Sequence, residues 1–327
     1  MVEESVVRTA LAAVLPDAAA ADIEAAPWGN TKRTALVTLA DGREVVVQYR
    51  ASDRGGLATE AELTRAIGER TGVPVPAVLG CRRVEEYAVV VTARVPGRDL
   101  HERFEFLPPD HRTALVRTLG RHLAAVHDAF RFSGYGPVTY RGDEFVVPDP
   151  ESDWRAWLGD YLGRALDGFD GPLAPLAAPV RAAFDRHRDR LPAAPPAHLF
   201  PWDFRPGNVI VADVDSTIAA VLDWGDPLAA ARGLSLAKAA FLVADWYADG
   251  DPEADRLREA FLAGYRSRLS LPDGFERTRS LYRLVAVAAS AVDSRGQVTR
   301  PRFPMVPDAA AVTFHRRHLR AVLDRLD

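Results

Sequence analysis

Three polar residues stand at spacings that suit phosphoryl transfer: Asp203, Asn208 five residues on, and Asp223 fifteen residues after that. They lie in the segments His198-Leu199-Phe200-Pro201-Trp202-Asp203-Phe204-Arg205-Pro206-Gly207-Asn208 and Val221-Leu222-Asp223-Trp224-Gly225. The apolar run Val209-Ile210-Val211 follows Asn208, and Ile218 to Leu222 precedes Asp223, so each polar group is held beside a short strand. Phosphoryl transfer asks for one carboxylate to orient a hydroxyl nucleophile, and for an amide and a second carboxylate to hold Mg²⁺ on the phosphates. Pro206-Gly207 predicts the tight turn that returns Asn208 towards Asp203. Arg205, in the same loop, is a candidate contact for a phosphate or for a neighbouring carboxylate. A buried turn with a capping Asp would account for one of these positions, but not for three with their flanking strands.

The segment resembles the catalytic loop of the aminoglycoside phosphotransferase/choline kinase family, the small-molecule branch of the kinase-like fold. That loop reads roughly H-G-D-L-H-P-G-N and is followed by a D-W or D-F pair. Asp203-Phe204-Arg205-Pro206-Gly207-Asn208 and Asp223-Trp224 fit it, whereas Pro201 stands where the family has His, with His198 three residues further back. The resemblance implies Asp203 and Arg205 as catalytic-loop residues, Asn208 and Asp223 as Mg²⁺ ligands, and ATP or GTP as phosphate donor. It also implies a hydroxyl-bearing small molecule as acceptor. Leu123 to His127 followed by Gly134-Tyr135-Gly136 matches a further family pattern, with His127 read as a buried structural residue.

For the nucleotide, the family places a Gly-Asn-like loop over the phosphates, and Gly29-Asn30 is the candidate. A glycine there lets backbone N–H groups approach an anion, though the same pair reads equally as an ordinary turn. Aligning Val45-Val46-Val47 with the family's apolar strand puts Gln48 at the position of the phosphate-binding Lys. Arg50, two residues on, shares that strand face and is the candidate replacement cation. If this alignment fails, Lys32 or Arg33 before the strand comes next. The carboxylate partner expected on the following helix is Glu60, with Glu62 competing. Thr59 and Glu62 also form a capping-box pattern, which would put Glu60 in the first helical turn.

The elements that must position these groups follow from periodicity. Residues 5–15 carry a helical pattern. Residues 35–39 and 44–50 flank Asp41-Gly42, a hairpin signal. Residues 58–70 read as a helix stopped at Gly72, and 75–79 and 87–92 as strands. From Val95-Pro96-Gly97-Arg98 onward the pattern is mostly helical, with candidates after Asp110, around Trp154 to Leu166, and at 177–190, 232–248, 253–269, 275–292 and 309–326. A β-rich first part followed by a helical second part predicts an α+β, bilobal, protein-kinase-like fold. The expected division is a nucleotide-binding N-lobe over 1–95 and a C-lobe over 96–327 carrying the catalytic loop and acceptor site.

Composition narrows the class. The chain has 327 residues, 48% apolar and 26% charged, as globular proteins do. A net charge of −4 gives no global basic field for nucleic acid. One cysteine, Cys81, excludes an internal disulfide and suits a cytoplasmic location. Glu3 and Glu4 are unlike a signal peptide, and no apolar run reaches the roughly 18 residues of a membrane span. No H-E-x-x-H, CxxC or G-x-S-x-G is present, which leaves zincins, zinc ribbons and serine hydrolases without support. Acidic groups at Asp153, Asp160 and Asp167, and at Asp245 to Asp255, would suit a polycationic acceptor but read equally as solvated helix faces. Gln48 and Pro201 keep open the alternative of a catalytically silent nucleotide-binding pseudokinase.

Overall fold

The computed structural model describes residues 2–26, 32–51, 53, 55–212, 217–248, 252–293, 295–301 and 306–327. The expected Gly29 and Asn30 phosphate loop lies outside the described residues. The chain forms two compact units. The first comprises Met1–Leu100, Val138–Pro148 and Asn208–Pro227; the second comprises His101–Pro137, Asp149–Gly207 and Leu228–Asp327.

The first unit is built on helix α1 (Glu4–Val14), strands β1 (Ala20–Ala25), β2 (Arg33–Leu39) and β3 (Glu44–Ala51), helix α2 (Gly56–Thr71), and strands β4 (Val78–Val84) and β5 (Tyr87–Ala93). The five strands form one antiparallel sheet in the order β1-β2-β3-β5-β4. Alternation decides its two faces. Ala35, Val37 and Leu39 of β2, with Val45, Val47 and Tyr49 of β3, are buried in a cluster with Val6, Val7, Ala10 and Leu11 of α1. The opposite face carries Thr34 paired with Gln48, and Gln48 paired with Val90 of β5. On that face Leu57 and Ala61 of α2 pack with Ala88 and Val90. The sheet therefore separates two cores, and Gln48 belongs to the side that α2 covers.

Asp41-Gly42 makes the expected hairpin turn, with Gly42 at φ 85° and its N–H donating to Leu39 O at 2.9 Å. β1 was not foreseen. Its Ala-rich sequence buries no residue fully, as befits an edge strand. α2 starts earlier than its Thr59–Glu62 pattern predicts. Gly55 precedes it at φ 97°, and the Asp53 carboxylate accepts from the backbone N–H groups of Gly55 (3.0 Å) and Leu57 (3.1 Å). Thr59 is therefore inside the helix, where its Oγ1 accepts from Tyr140 N at 3.1 Å, and Glu60 lies beyond the first turn. At the other end Gly72, at φ 70°, terminates α2 as expected.

The expected cut at 95/96 puts Val138–Pro148 and Asn208–Pro227 in the C-lobe, whereas both belong to the first unit. Val209–Val211 pairs with Ile218–Val221 on one edge and with Arg98–Asp99 on the other, and Val221 N donates to Pro74 O at 2.8 Å. These backbone bonds tie 208–227 to the first unit.

The second unit holds the helices Pro109–Ala129, Trp154–Asp167, Ala174–His187, Arg232–Ala240, Pro252–Arg266, Phe275–Ala288 and Asp308–Leu326. Pro109 opens its helix, so Asp110 sits in the first turn instead of capping it. Asp153, offered as an acceptor-side carboxylate, is the cap of Trp154–Asp167, accepting from Arg155 N and Ala156 N. The helix expected over 232–248 changes at Phe241–Asp245 into a wide π-helical turn. Four short strands form a sheet in the order Arg131–Phe132, Ala197–Phe200, Leu228–Ala231, Gly136–Pro137. All four residues of Ala197–Phe200 are buried.

Candidate active site

The two halves of the candidate segment belong to different units: Asp203 and Arg205 to the second, Asn208 and Asp223 to the first. In the second unit, strand Ala197–Phe200 delivers the chain to Asp203. His198, in that strand, has its Nδ1 2.6 Å from His127 O. It is therefore bonded away from the loop and does not stand in for the His that Pro201 replaces. His127 is wholly buried, its Nδ1 2.9 Å from Tyr265 Oη and its Nε2 3.0 Å from Ser235 Oγ. Burial, with His198 and Arg232 nearby, pushes it well below the usual histidine value, which suits the structural reading.

Arg205 Nε donates to Asp203 Oδ1 at 2.8 Å, and its guanidinium lies 5.3 Å from the centre of the Trp246 ring. Arg205 thus fixes one carboxylate oxygen of Asp203. Beside the same loop, Trp202 Nε1 donates to Tyr161 Oη at 3.0 Å. The Lys238 ammonium sits 3.6 Å from the centre of the Trp202 ring. Lys238 is 1% exposed and finds no hydrogen-bond acceptor among the described residues. Burial lowers its pKa to about 7, with Asp203 opposing and Arg205 adding to the shift.

In the first unit, Leu222 N donates to Asn208 O at 2.8 Å, one step beyond the pairing of Val209 with Val221. Asn208 and Asp223 are therefore brought to the same end of one hairpin. Asp223 has φ 58°, a left-handed conformation that Asp and Asn tolerate better than most residues. Trp224 is 2% exposed and donates from Nε1 to Val221 O at 3.0 Å, the packing role expected of it. A Cβ at position 225 would stand 2.9 Å from Glu60 Oε2, so Gly225 lets this turn approach α2. Asp226 is followed by strand Leu228–Ala231 and takes φ 46°.

Glu60 is met by a lysine that the strand alignment did not place there. Lys32 Nζ donates to Glu60 Oε1 at 2.6 Å and to Asp223 Oδ1 at 2.9 Å. The Lys32 and Glu60 side chains are each 12% exposed and that of Asp223 46%. Burial works against the Lys32 ammonium, but Asp223 and Glu60 outweigh it and hold its pKa above the usual lysine value. Burial pushes the Glu60 carboxyl up even against Lys32, with Asp223 adding to the rise. Lys32 is the group that keeps these two carboxylates compatible.

The expected roles of Gln48 and Arg50 change accordingly. Gln48 Nε2 is 3.5 Å from Thr34 Oγ1, the limit of a hydrogen bond, and makes no contact with Glu60. Arg50 does not reach Glu60 either; its Nε donates to Asp53 Oδ1 at 3.0 Å, bracing the start of α2. Glu62, the competing carboxylate, pairs with Arg65.

The residues that would hold Mg²⁺ are the Asn208 amide and the Asp223 carboxylate. Among the described residues no group of three or more His, Cys, Asp or Glu could hold a metal unaided. Two oxygen donors suit Mg²⁺, which takes its remaining ligands from phosphate and water. No helix among the described residues is long and apolar enough to cross a membrane.

The model of a phosphotransferase enzyme family matches residues 22–281. The chain belongs to that family. Among solved structures similar to the chain is a proposed fructosamine-3-kinase from Thermobifida fusca, 22% identical with TM-score 0.60, covering 94% of this chain and 98% of the other. The GDP and kanamycin complex of APH(2")-IIia is 16% identical with TM-score 0.62, covering 97% and 98%. A type I macrolide 2'-phosphotransferase is 14% identical with TM-score 0.57, covering 99% and 96%. At these identities the likeness is one of fold, and it bears out the α+β, protein-kinase-like expectation. No curated protein matches the chain.

Proposed function

We propose that this phosphotransferase moves the γ-phosphoryl group of ATP or GTP to a hydroxyl of a small molecule, with Asp203 orienting that hydroxyl. The observation that supports the reading is the backbone bond from Leu222 N to Asn208 O, which brings positions 208 and 223 to one hairpin end. Arg205 Nε donates to Asp203 Oδ1, which orients the carboxylate. Asn208 and Asp223 would bind Mg²⁺, which when present neutralises charge on the transferring phosphoryl oxygens. The cation missing from Gln48 was a reason to consider a silent binding module. Lys32 beside Glu60 supplies a cation at this site and removes that reason.

The test is a transfer assay with labelled Mg-ATP and Mg-GTP against aminoglycosides, macrolides, amino sugars, amino alcohols and nucleosides. Asp203→Asn should lose about 10²–10⁴-fold in kcat while binding nucleotide normally. Full transfer by that variant, or no nucleotide binding by the wild type, overturns the reading.

A further inference from the structure

Lys32 stands just before β2, and the hairpin register decides which way it points. Arg33 pairs with Tyr49 and Thr34 with Gln48. Residues two apart on a strand share a face, so Lys32 and Thr34 project to the side of Gln48 and of α2. Arg33 projects to the other side, where it meets Glu3, the residue before α1. Of the cations next to the Gln48 position, Arg33 faces away and Arg50 is held by Asp53. Lys32 alone among these three touches both Glu60 and Asp223.

We propose that Lys32, entering from the β2 side of the hairpin, carries positive charge to the nucleotide phosphates in the place of the cation that position 48 of β3 lacks. The proposal rests on the phosphotransferase reading and names a residue for it. Three observations converge. Glu60 projects from α2 and directs the ammonium by a 2.6 Å hydrogen bond. Asp223, the candidate metal carboxylate, accepts from the same ammonium at 2.9 Å, so the cation already lies where bound phosphates must be neutralised. Gln48, on the matching face of β3, spends its amide on a 3.5 Å contact with Thr34. An ammonium reaching one point in space can be supplied from either of two adjacent strands, since facing side chains start only about 5 Å apart. The charge has been kept and its strand exchanged.

The exchange is testable by reversing it. Binding of Mg-ATP and Mg-GTP is measured by calorimetry for the wild type, Lys32→Met, Gln48→Lys and the double variant, with thermal melting of each. Lys32→Met should weaken binding at least tenfold, the size of a lost charge-assisted contact. Gln48→Lys in the Lys32→Met background should recover most of that loss, because it returns an ammonium to the same face one pair along. Unchanged binding by Lys32→Met overturns the proposal, and so does a loss that the second lysine fails to recover. If Lys32→Met melts far below the wild type, the double variant decides alone: it must both fold and bind. A wild type that binds neither nucleotide brings down the phosphotransferase reading itself, a result distinct from either.

Discussion

At the scale of single residues, two lysines show opposite uses of burial. Lys32 is charged because two carboxylates face it; Lys238 has an aromatic ring and, among the described residues, no acceptor. A cation over a desolvated ring gains about 2 kcal/mol, less than burial of an ammonium costs. The folded pKa of Lys238, about 7, is below its ordinary 10.5, so between these values the unfolded chain binds more protons. Stability should therefore rise with pH from about 7 towards 10.5, and below 7 the full penalty applies. Lys238→Met should melt above the wild type at pH 6, and the gap should narrow at pH 9. Parallel melts at the two pH values check this, and a constant gap would refute it. Neither lysine's contacts were legible from spacing. Asp203, Asn208 and Asp223 stood out as candidates, because a loop of fixed length leaves their types and intervals visible. Lys32 depended on the hairpin register, and Lys238 on a helix face meeting Trp202 from far along the chain.

At the scale of elements, the strongly periodic pieces were readable and the short buried ones were not. Helix α2 and the Asp41-Gly42 hairpin carry local signals, and both formed within a few residues of expectation. Ala197–Phe200 and Leu228–Ala231 carry none, since short buried strands lack alternation. The π-helical turn Phe241–Asp245 was equally hidden, and it changes the meaning of Asp245. This residue is 2% exposed and accepts from Arg258 Nη1 at 2.6 Å and Arg283 Nη2 at 2.8 Å, with His318 Nδ1 3.9 Å away. It braces helices and is not a solvated or acceptor-facing charge. Burial alone would raise its pKa, but Arg283, Arg258 and His318 outweigh burial and lower it. Its contribution is thus complete above the ordinary aspartate value of about 3.9 and is lost as pH falls below that. Asp245→Asn should cost about 3–5 kcal/mol at pH 7 in denaturant unfolding, because two guanidiniums lose their counter-charge. The difference should shrink below pH 4; a cost under 1 kcal/mol at pH 7 would deny the network its bracing role.

At the scale of the whole molecule, composition predicted a two-part chain but could not show where its path crosses between parts. Contiguous lobes are the simplest reading of a β-rich start and a helical remainder. Backbone pairing of Val209–Val211 with Arg98–Asp99 is non-local, and nothing in either segment advertises it. Net charge acts at this scale as well. The calculated isoelectric point is about 6.1 and the formal charge at pH 7 is −4. Self-repulsion vanishes near the isoelectric point, so light scattering at fixed concentration should show most association near pH 6 and less at pH 8. A pH-independent signal would assign association to something other than charge.

The return of residues 208–227 to the first unit has a consequence for synthesis. A ribosome delivers Lys32 and Glu60 early, yet Asp223 arrives only after the His101–Pro137 and Asp149–Gly207 segments of the second unit have been made. Until then two side chains wait for the third, and a nascent chain interrupted before residue 223 lacks it. The order of translation thus completes the Lys32, Glu60 and Asp223 cluster only once two segments of the other unit have intervened.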